Sequence, residues 1–379
     1  MRVSFVSFDY TEYCVRTASA IAELEDVQLQ LLMPGKRAEE FADYIAPSIE
    51  TAFFQRARFR QPLQQARMLR SIWQSISDFS PDVVHFQGAH LWFNFLLRRI
   101  ARRFPLVVTA HNPRHHVGDR SSRKTPQWVM DMGFKAASRL VVHGDLLKQQ
   151  LCDYLNIEPT RVSVIPHIAM GGREATGHVD AAAPGVARAR RDTDVRILFF
   201  GRIWEYKGLE YLIKAQPLVT AQHPDARFVI GGEGEDFERY RKMMTNPETF
   251  ELHIERVSDE KRERLFADAT IVVLPYISAT QSGVIPIAFN HSVPVIATDV
   301  GALREVIHHE RTGLLIPPRD TEALGKAINR LLDHPQLRAE LGSNGNLFLQ
   351  EQCSDQAVGS AHLAAYKQAA QAFSEAQHR

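Results

Sequence analysis

Eleven short, continuously apolar runs, rich in β-branched and aromatic residues, recur along this chain and limit its fold more than any other feature. Six lie in the first half: Val3–Phe8, Val27–Met33, Val83–Phe86, Leu106–Ala110, Leu140–His143 and Val162–Pro166. Five more follow after a gap: Val195–Phe200, Arg227–Ile230, Ile271–Pro275, Pro294–Thr298 and Gly313–Ile316. A strand with one wet face alternates apolar and polar residues, whereas a strand covered on both faces does not. The intervening segments are long enough for crossover helices, which predicts an α/β fold of two doubly wound, Rossmann-like units with parallel sheets. Gly171–Asp194, including Asp180-Ala-Ala-Ala-Pro-Gly-Val186, shows neither strand nor helix period. The expected division is an N-terminal unit over 1–178, a linker over 179–194 and a C-terminal unit over 195–354. Residues 355–379 add one long, Ala-rich helix with no strand after it.

Composition removes several alternatives. With 45% hydrophobic and 23% charged residues, the 379-residue chain can bury full cores. Cys14, Cys152 and Cys353 stand far apart and form no C-x-x-C pair, which excludes a disulfide framework or zinc ribbon and favours a reducing compartment. No apolar run reaches the ~18–20 residues of a membrane span. The chain opens directly on a strand-like run, so the expected location is the cytoplasm.

A net charge of +1 exerts no global pull on nucleic acid, but the charge is unevenly spread. Residues 1–50 carry a net −5, residues 51–150 a net +11 without a single Glu, and the remainder a net −5. Such a block predicts a positive face for phosphates or an anionic membrane surface. Within it, Leu96, Leu97, Ile100 and Phe104 recur at helical spacing beside Arg98, Arg99, Arg102 and Arg103. Leu63, Ala66, Leu69, Trp73 and Ile76 form a second predicted stripe, flanked by Arg67 and Arg70. Two readings stand for this block. One is an amphipathic helix pair with solvated arginines. The other is an acceptor-phosphate or membrane face that would place the protein on the inner side of the plasma membrane.

In open parallel sheets, ligands sit beyond the carboxyl ends of the strands. Three constellations fall there in the second half. Ile197-Leu-Phe-Phe-Gly-Arg-Ile-Trp-Glu-Tyr-Lys-Gly208 runs from a strand into Gly201, Arg202 and Lys207, ahead of a predicted helix over Leu209–Ala215. Glycine lets the backbone turn close to a ligand, and a guanidinium fork with an ammonium suits a pyrophosphate. Phe228-Val-Ile-Gly-Gly-Glu-Gly-Glu-Asp236 ends another strand in glycines. Phe237 stands where a dinucleotide fingerprint needs a third small residue, so Gly232 reads as part of a phosphate-lined strand end instead. Ile271-Val-Val-Leu-Pro-Tyr276 gives way to Ser278-Ala-Thr-Gln-Ser-Gly283 and a helix predicted from Gly283 or Val284, with Ser282 as its N-cap. Amides at such a terminus can face an anion. No G-x-x-x-x-G-K-[ST] loop is present, which disfavours triphosphate hydrolysis.

The order Phe200-Gly-Arg202, Lys207-Gly208, Gly231-Gly-Glu-Gly234, Leu274-Pro-Tyr276, Gly283, Pro294-Val-Ile-Ala-Thr298, Gly301-Ala-Leu-Arg-Glu305 and Gly313-Leu-Leu resembles the family four glycosyltransferases, the retaining GT-B group. Pro81-Asp-Val-Val-His85, Val107-Val-Thr-Ala-His111 and Val164-Ile-Pro-His167 resemble the landmarks of that family's N-terminal domain. The resemblance implies two Rossmann-like domains facing a central cleft, with a terminal helix returning to the first domain. It implies a UDP- or GDP-sugar held by the C-terminal domain as substrate, with no cofactor and no metal. The implied acceptor is a glycan or lipid-linked saccharide, in cell-surface polysaccharide synthesis. The implied catalytic residues are His111, Arg202 and Lys207. The implied donor contacts are Gly201, Arg202, Lys207, Gly232, Tyr276, Thr280, Gln281, Ser282, Gly283 and Val284.

One departure stands out. Where the family carries two Glu residues eight positions apart, this chain has Ala279 and Ile287, as in a branch with an S-A-T-Q-S-G-V-type loop. Polar atoms of Thr280, Gln281 and Ser282 are expected to replace the carboxylates. The N-terminal loop has Phe8-Asp-Tyr-Thr-Glu-Tyr13 in place of the common Gly-Gly. The missing acidic pair also keeps open a non-catalytic nucleotide-sugar binder or partner subunit, and it argues against a two-carboxylate glycosidase. A metal at His111, His115 and His116 is disfavoured, because adjacent histidines share one site poorly. His143 and His167 end strands and stand as cleft-lining or structural histidines. Trp73 and Trp92 suit helix cores better than base-stacking platforms, so no nucleic-acid partner is expected.

Overall fold

The computed structural model describes residues 1–115, 125–170, 194–234 and 237–378, which form two compact units. The predicted linker over 179–194 falls, apart from its last residue, outside the described residues. The N-terminal unit runs to Ile168 and takes in the chain again from Ser354; the C-terminal unit covers Ala169–Cys353.

The first sheet has strands β1 (Arg2–Ser7), β2 (Gln28–Pro34), β3 (Glu50–Phe54), β4 (Val83–Gln87), β5 (Leu106–Thr109), β6 (Arg139–Val142) and β7 (Val162–Val164). Their order is β3-β2-β1-β4-β5-β6-β7, parallel throughout. The second sheet has β8 (Arg196–Phe200), β9 (Arg227–Gly231), β10 (Phe250–His253), β11 (Ile271–Leu274), β12 (Val295–Thr298) and β13 (Gly313–Ile316). Its order is β10-β9-β8-β11-β12-β13, again parallel. The winding reverses between β1 and β4 in the first sheet and between β8 and β11 in the second. Crevices for ligands open at such points.

The absence of alternation has the expected cause. Ile197, Phe199, Phe228, Ile230, Ile271 and Val273 pack on one face of the second sheet, under Leu212 and Ile213 of the helix Leu209–Thr220 and Ile328 of the helix Thr321–Asp333. Leu198, Val229, Val272, Leu274 and Val295 pack on the other, under Phe266, Ile285 and Phe289. Both faces are dry, so residues at period two are apolar on both.

Two strands were not foreseen, β3 and β10. Each lies at a sheet edge, and Glu50-Thr-Ala-Phe-Phe54 and Phe250-Glu-Leu-His253 are exposed or half-buried along their length. An edge strand has no need of a continuous apolar run. The stripe predicted from Leu63 to Ile76 is also corrected. The helix Pro62–Phe79 buries Gln65, Met68, Ile72, Ile76 and Phe79, while Leu63 is 76% exposed. The contacting face is rotated from the predicted one, and Trp73 is covered instead by the Arg99 guanidinium, 4.3 Å above its ring.

The last helix, Asp355–Gln377, belongs to the N-terminal unit. Ser354 caps it, its Oγ accepting from the Ala357 amide. Val358, Gly359, His362, Ala365, Tyr366 and Ala369 are its buried residues. A side chain at Gly359 would put its Cβ 2.7 Å from the Ala20 carbonyl oxygen, so this glycine sets how closely the helix approaches the helix Thr11–Ala22. Gly359→Leu should destabilise the N-terminal unit by roughly 1–3 kcal/mol through overpacking. Denaturant unfolding of the full chain checks this, and an unchanged midpoint would contradict the packing described.

Candidate functional site

At the switch point of the second sheet, the β8 loop is laced to its neighbours by backbone. Gly201 N–H donates to the Gly231 carbonyl and Ile203 N–H to that of Glu233. Gly232 has φ +141°, and a Cβ there would stand 1.9 Å from the Gly201 oxygen. Gly208 has φ +64°, and its Cβ would stand 1.9 Å from the Pro275 oxygen. Both positions require glycine twice over, by dihedral and by space. The Tyr206 carbonyl accepts from Ile277 N–H at 2.8 Å, which fastens the β8 loop to the β11 loop.

The two cations of this loop have different surroundings. Arg202 is exposed, and its Nη2 donates to the Tyr206 hydroxyl at 3.1 Å. Lys207 is half-buried, with Nζ 3.7 Å from the centre of the Tyr276 ring and 5.4 Å from that of Tyr206. Among the described residues no carboxylate pairs with Lys207. Desolvation, then the nearby Arg202 charge, lowers its pKa to about 7. The site therefore holds an ammonium with a weak grip on its proton, which an incoming anion would strengthen. Tyr206 is the residue that motif reading passed over. Its place four after Arg202 and one before Lys207, in a one-turn helix over Glu205–Lys207, was the available signal.

Tyr276 is fully buried, and its hydroxyl is 3.2 Å from Ser282 Oγ. It supports Lys207 with its ring and the next loop with its hydroxyl. That loop differs in detail from expectation. The helix Val284–Asn290 has seven residues and Gly283 at its N-cap position, not Ser282. Ser282 Oγ accepts from Val284 N–H, the Ser282 carbonyl accepts from Ile285 N–H, and Pro286 has no amide proton. The terminus thus has few amides to turn outward, and the side chains nearby matter more. The Gln281 Oε1 is buried without a hydrogen-bond partner. The Thr280 carbonyl accepts from Ala302 N–H, which holds the loop against Gly301. Of the two positions where the resembled family has Glu, Ile287 is 3% exposed within the core and Ala279 packs against that core.

In the N-terminal unit, His111 is buried and engaged at both ring nitrogens. Nε2 is 2.9 Å from Gln87 Oε1 and Nδ1 is 3.0 Å from His143 Nε2. His143 Nδ1 lies 3.0 Å from the Ile165 carbonyl and must donate to it. A neutral His143 then accepts from His111 Nδ1–H, which leaves His111 Nε2 an acceptor facing the Gln87 amide. A half-turn of that amide satisfies every ring; it would present its oxygen to His85 Nε2, 3.2 Å from the present Nε2. His85 is bonded in turn to Thr109 Oγ1 and the Tyr366 hydroxyl. Tyr10, 43% exposed, stacks on His111 at 4.2 Å, and Tyr13 meets His111, His143 and His167 with its ring. Burial lowers all these histidines, His143 to about 3, His167 and His362 to about 4, and His85 and His111 well below the usual value. Of these rings only His111 and His143 bond one another, and among the described residues no three His, Cys, Asp or Glu are grouped to hold a metal. His115 Nε2 bonds the Thr125 carbonyl, and His116 lies outside the described residues.

Arg98, Arg99, Arg102 and Arg103 are all exposed on the N-terminal unit. A groove of about 760 Å³, lined by Arg139, Asp145, Lys148, Thr160, Gln368 and Glu375 among others, runs along the edge strand β7.

Comparison with known proteins bears on both units. The family model described as Glycosyltransferase Family 4 matches residues 11–168, and the one described as Glycosyl transferases group 1 matches residues 194–334. An uncharacterized glycosyltransferase of Methanocaldococcus jannaschii is 26% identical over 233 residues, 58% of this chain and 57% of that protein; the chain spans little more than half of that relative. Among solved structures, a sucrose-phosphate synthase from Thermosynechococcus elongatus superposes with a TM-score of 0.74 at 17% identity, covering 96% of this chain and 98% of that one. HepE from Anabaena, solved in complex with UDP, superposes at 0.71 and 15% identity, covering 97% and 100%. At these identities the structures establish the fold, two Rossmann-like domains of the GT-B class.

The histidine cluster implies an acid-labile N-terminal unit. Each buried ring has a native pKa below its unfolded value of 6.5. The unfolded chain therefore takes up protons that the native one refuses as the pH falls below 6.5. Each histidine then costs up to about 1.4 kcal/mol per pH unit until its native pKa is reached. Urea midpoints of the N-terminal unit should fall steeply from pH 7 toward pH 5; a flat profile over that range would contradict the burial of the cluster.

Proposed function

From the match of residues 11–168 and 194–334 to two glycosyltransferase family models, we propose a glycosyltransferase that moves a sugar from a nucleoside diphosphate sugar to a glycan or lipid-linked acceptor. The observation that carries this reading is Lys207, an ammonium without a described carboxylate partner, set with Arg202 at the switch point of the second sheet. An ammonium and a guanidinium together at a strand end suit the diphosphate of a donor. The UDP complex of HepE makes a uridine diphosphate sugar the first donor to test.

In the proposed reaction the bond between the anomeric carbon and the diphosphate oxygen breaks, and a bond from the acceptor hydroxyl oxygen forms on the same face, with retention. The acceptor proton passes to the leaving diphosphate oxygen, so no carboxylate nucleophile is required. Arg202 and Lys207 take up the charge that develops on the diphosphate, the kind of preorganised stabilisation worth several kcal/mol in such sites, on the order of 3 kcal/mol per group. In this reading Gly201, Gly232, Gly283 and Val284 let the donor approach backbone. Thr280, Gln281 and Ser282 supply the polar contacts near the sugar. Tyr276 acts from beneath, through Lys207 and Ser282. His111 is assigned to the transferred sugar through the resemblance alone.

A second reading, a nucleotide-sugar binder without turnover, draws support from the buried Ile287 where the resembled family has a carboxylate. Calorimetry with UDP and GDP, combined with slow hydrolysis of a panel of UDP- and GDP-sugars, separates the two. Binding with hydrolysis supports the transferase, and binding without any hydrolysis supports the binder.

Two variants test the cations. Lys207→Ala should lower donor turnover by two orders of magnitude or so, with the thermal midpoint little changed, and full turnover would reject the site. The charge of Lys207 also sets a pH dependence. Its free pKa of about 7 means the ammonium is complete below pH 6 and lost above 8. A sugar nucleotide, whose diphosphate does not titrate here, should therefore bind with constant affinity at low pH and weaken up to about tenfold per unit above pH 7. Lys207→Arg should flatten the profile. Calorimetry in buffers of different ionisation enthalpy reads the proton taken up; no uptake at pH 8 would count against the assignment.

A further inference from the structure

We propose that the N-terminal unit docks on an anionic lipid bilayer through an aromatic pair, Phe95 and Trp128, framed by Arg98 and Arg102. The pair is 48% and 60% exposed, with ring centroids 5.9 Å apart in an edge-to-face arrangement. The rings come from two neighbouring helices, Leu91–Ala101 and Gln127–Ala136, held together by the Asn94 amide donating to the Val129 carbonyl at 3.1 Å. Both are on regular, packed elements, with Phe93, Leu97 and Ile100 buried beneath the first and Val129, Met130 and Phe134 beneath the second. Two large aromatic rings side by side in water form an apolar projection that a bilayer interface would cover.

The charge around the pair selects the occupant. Arg98 and Arg102 follow Phe95 by three and seven residues, on the same side of the helix. Lys135 follows Trp128 by seven and is exposed. None of Arg98, Arg99, Arg102 and Arg103 pairs with a described carboxylate. Asp131, the acid between Trp128 and Lys135, is occupied by Gln127 Nε2 and the Tyr154 hydroxyl. Arg99 and Arg103 lie over Trp73, 4.3 and 5.8 Å from its centre, so they serve packing as well as charge. Aromatic rings with an unpaired cationic rim suit the boundary between acyl chains and anionic headgroups. Among the described residues no helix is long and apolar enough to cross a membrane. This face is independent of the donor site: loss of vesicle binding with intact nucleotide binding would reject the face alone.

The full chain is mixed with vesicles of phosphatidylcholine, with or without phosphatidylglycerol, and sedimented. Binding is expected only with phosphatidylglycerol, falling about tenfold or more in F95S/W128S and in R98Q/R102Q. No binding, equal binding to both vesicles, or binding unchanged in F95S/W128S would overturn the proposal. Retention on soluble polyglutamate without vesicle binding would overturn it in favour of an acidic protein partner. Bromolipid quenching of tryptophan fluorescence provides a readout that needs no change in folding. The wild-type chain should be quenched and W128F much less so, and equal quenching of the two would likewise reject the face.

Discussion

The contact on which the C-terminal site depends is backbone against backbone, where Gly208 lies beneath the Pro275 carbonyl and the Tyr206 carbonyl takes the Ile277 amide. It brings the loop after β8 onto the loop after β11, and everything with charge follows from that closeness. With the loops joined, the Tyr276 ring comes under the Lys207 ammonium and the Arg202 guanidinium reaches Tyr206. Two like charges held side by side oppose one another, and the desolvation of Lys207 adds to the cost. An arrangement of that kind is kept at the expense of local stability and is relieved by an anion.

The N-terminal unit is organised on the opposite principle. Several polar side chains at its strand ends are buried and bonded to one another. The line from the Ile165 carbonyl through His143, His111, Gln87 and His85 to Tyr366 has a partner at each step. Such a network is rigid when neutral and costly when protonated, because no carboxylate lies in the line to take a second proton's charge. It fixes the position of His111 while engaging both of its nitrogens. A role for that ring therefore calls for exchange of one partner, and Tyr10, stacked and exposed over it, is the part of the shell nearest solvent.

The legibility of the sequence followed burial. Strands such as β8 and β11 were readable because both faces are dry and every residue from Ile197 to Phe199 and from Ile271 to Leu274 must be apolar. Strands β3 and β10 were not, because an edge strand needs no such run. The cations of the candidate site were readable as residue types at a strand end. Tyr206 was not, because a tyrosine among aromatic residues has no distinguishing pattern until a neighbouring guanidinium reaches its hydroxyl. The stripe from Leu63 failed for a related reason: apolar residues of that helix extend beyond its buried face, and the side chains packed around it, Arg99 over Trp73 among them, decide which are covered.

By itself, then, the sequence determined the two parallel sheets, their helices and the placing of glycines and cations at particular strand ends, since local periodicity and backbone dihedral demands are written residue by residue. Tertiary structure decided which of those residues meet. The neutral-leaning Lys207 arises from rings contributed by positions 206 and 276, the histidine line from four strands and a helix, and the exposed aromatic pair from two helices. Charge, proton affinity and exposure belong to groups brought together from distant parts of the chain, and a linear pattern does not encode their distances.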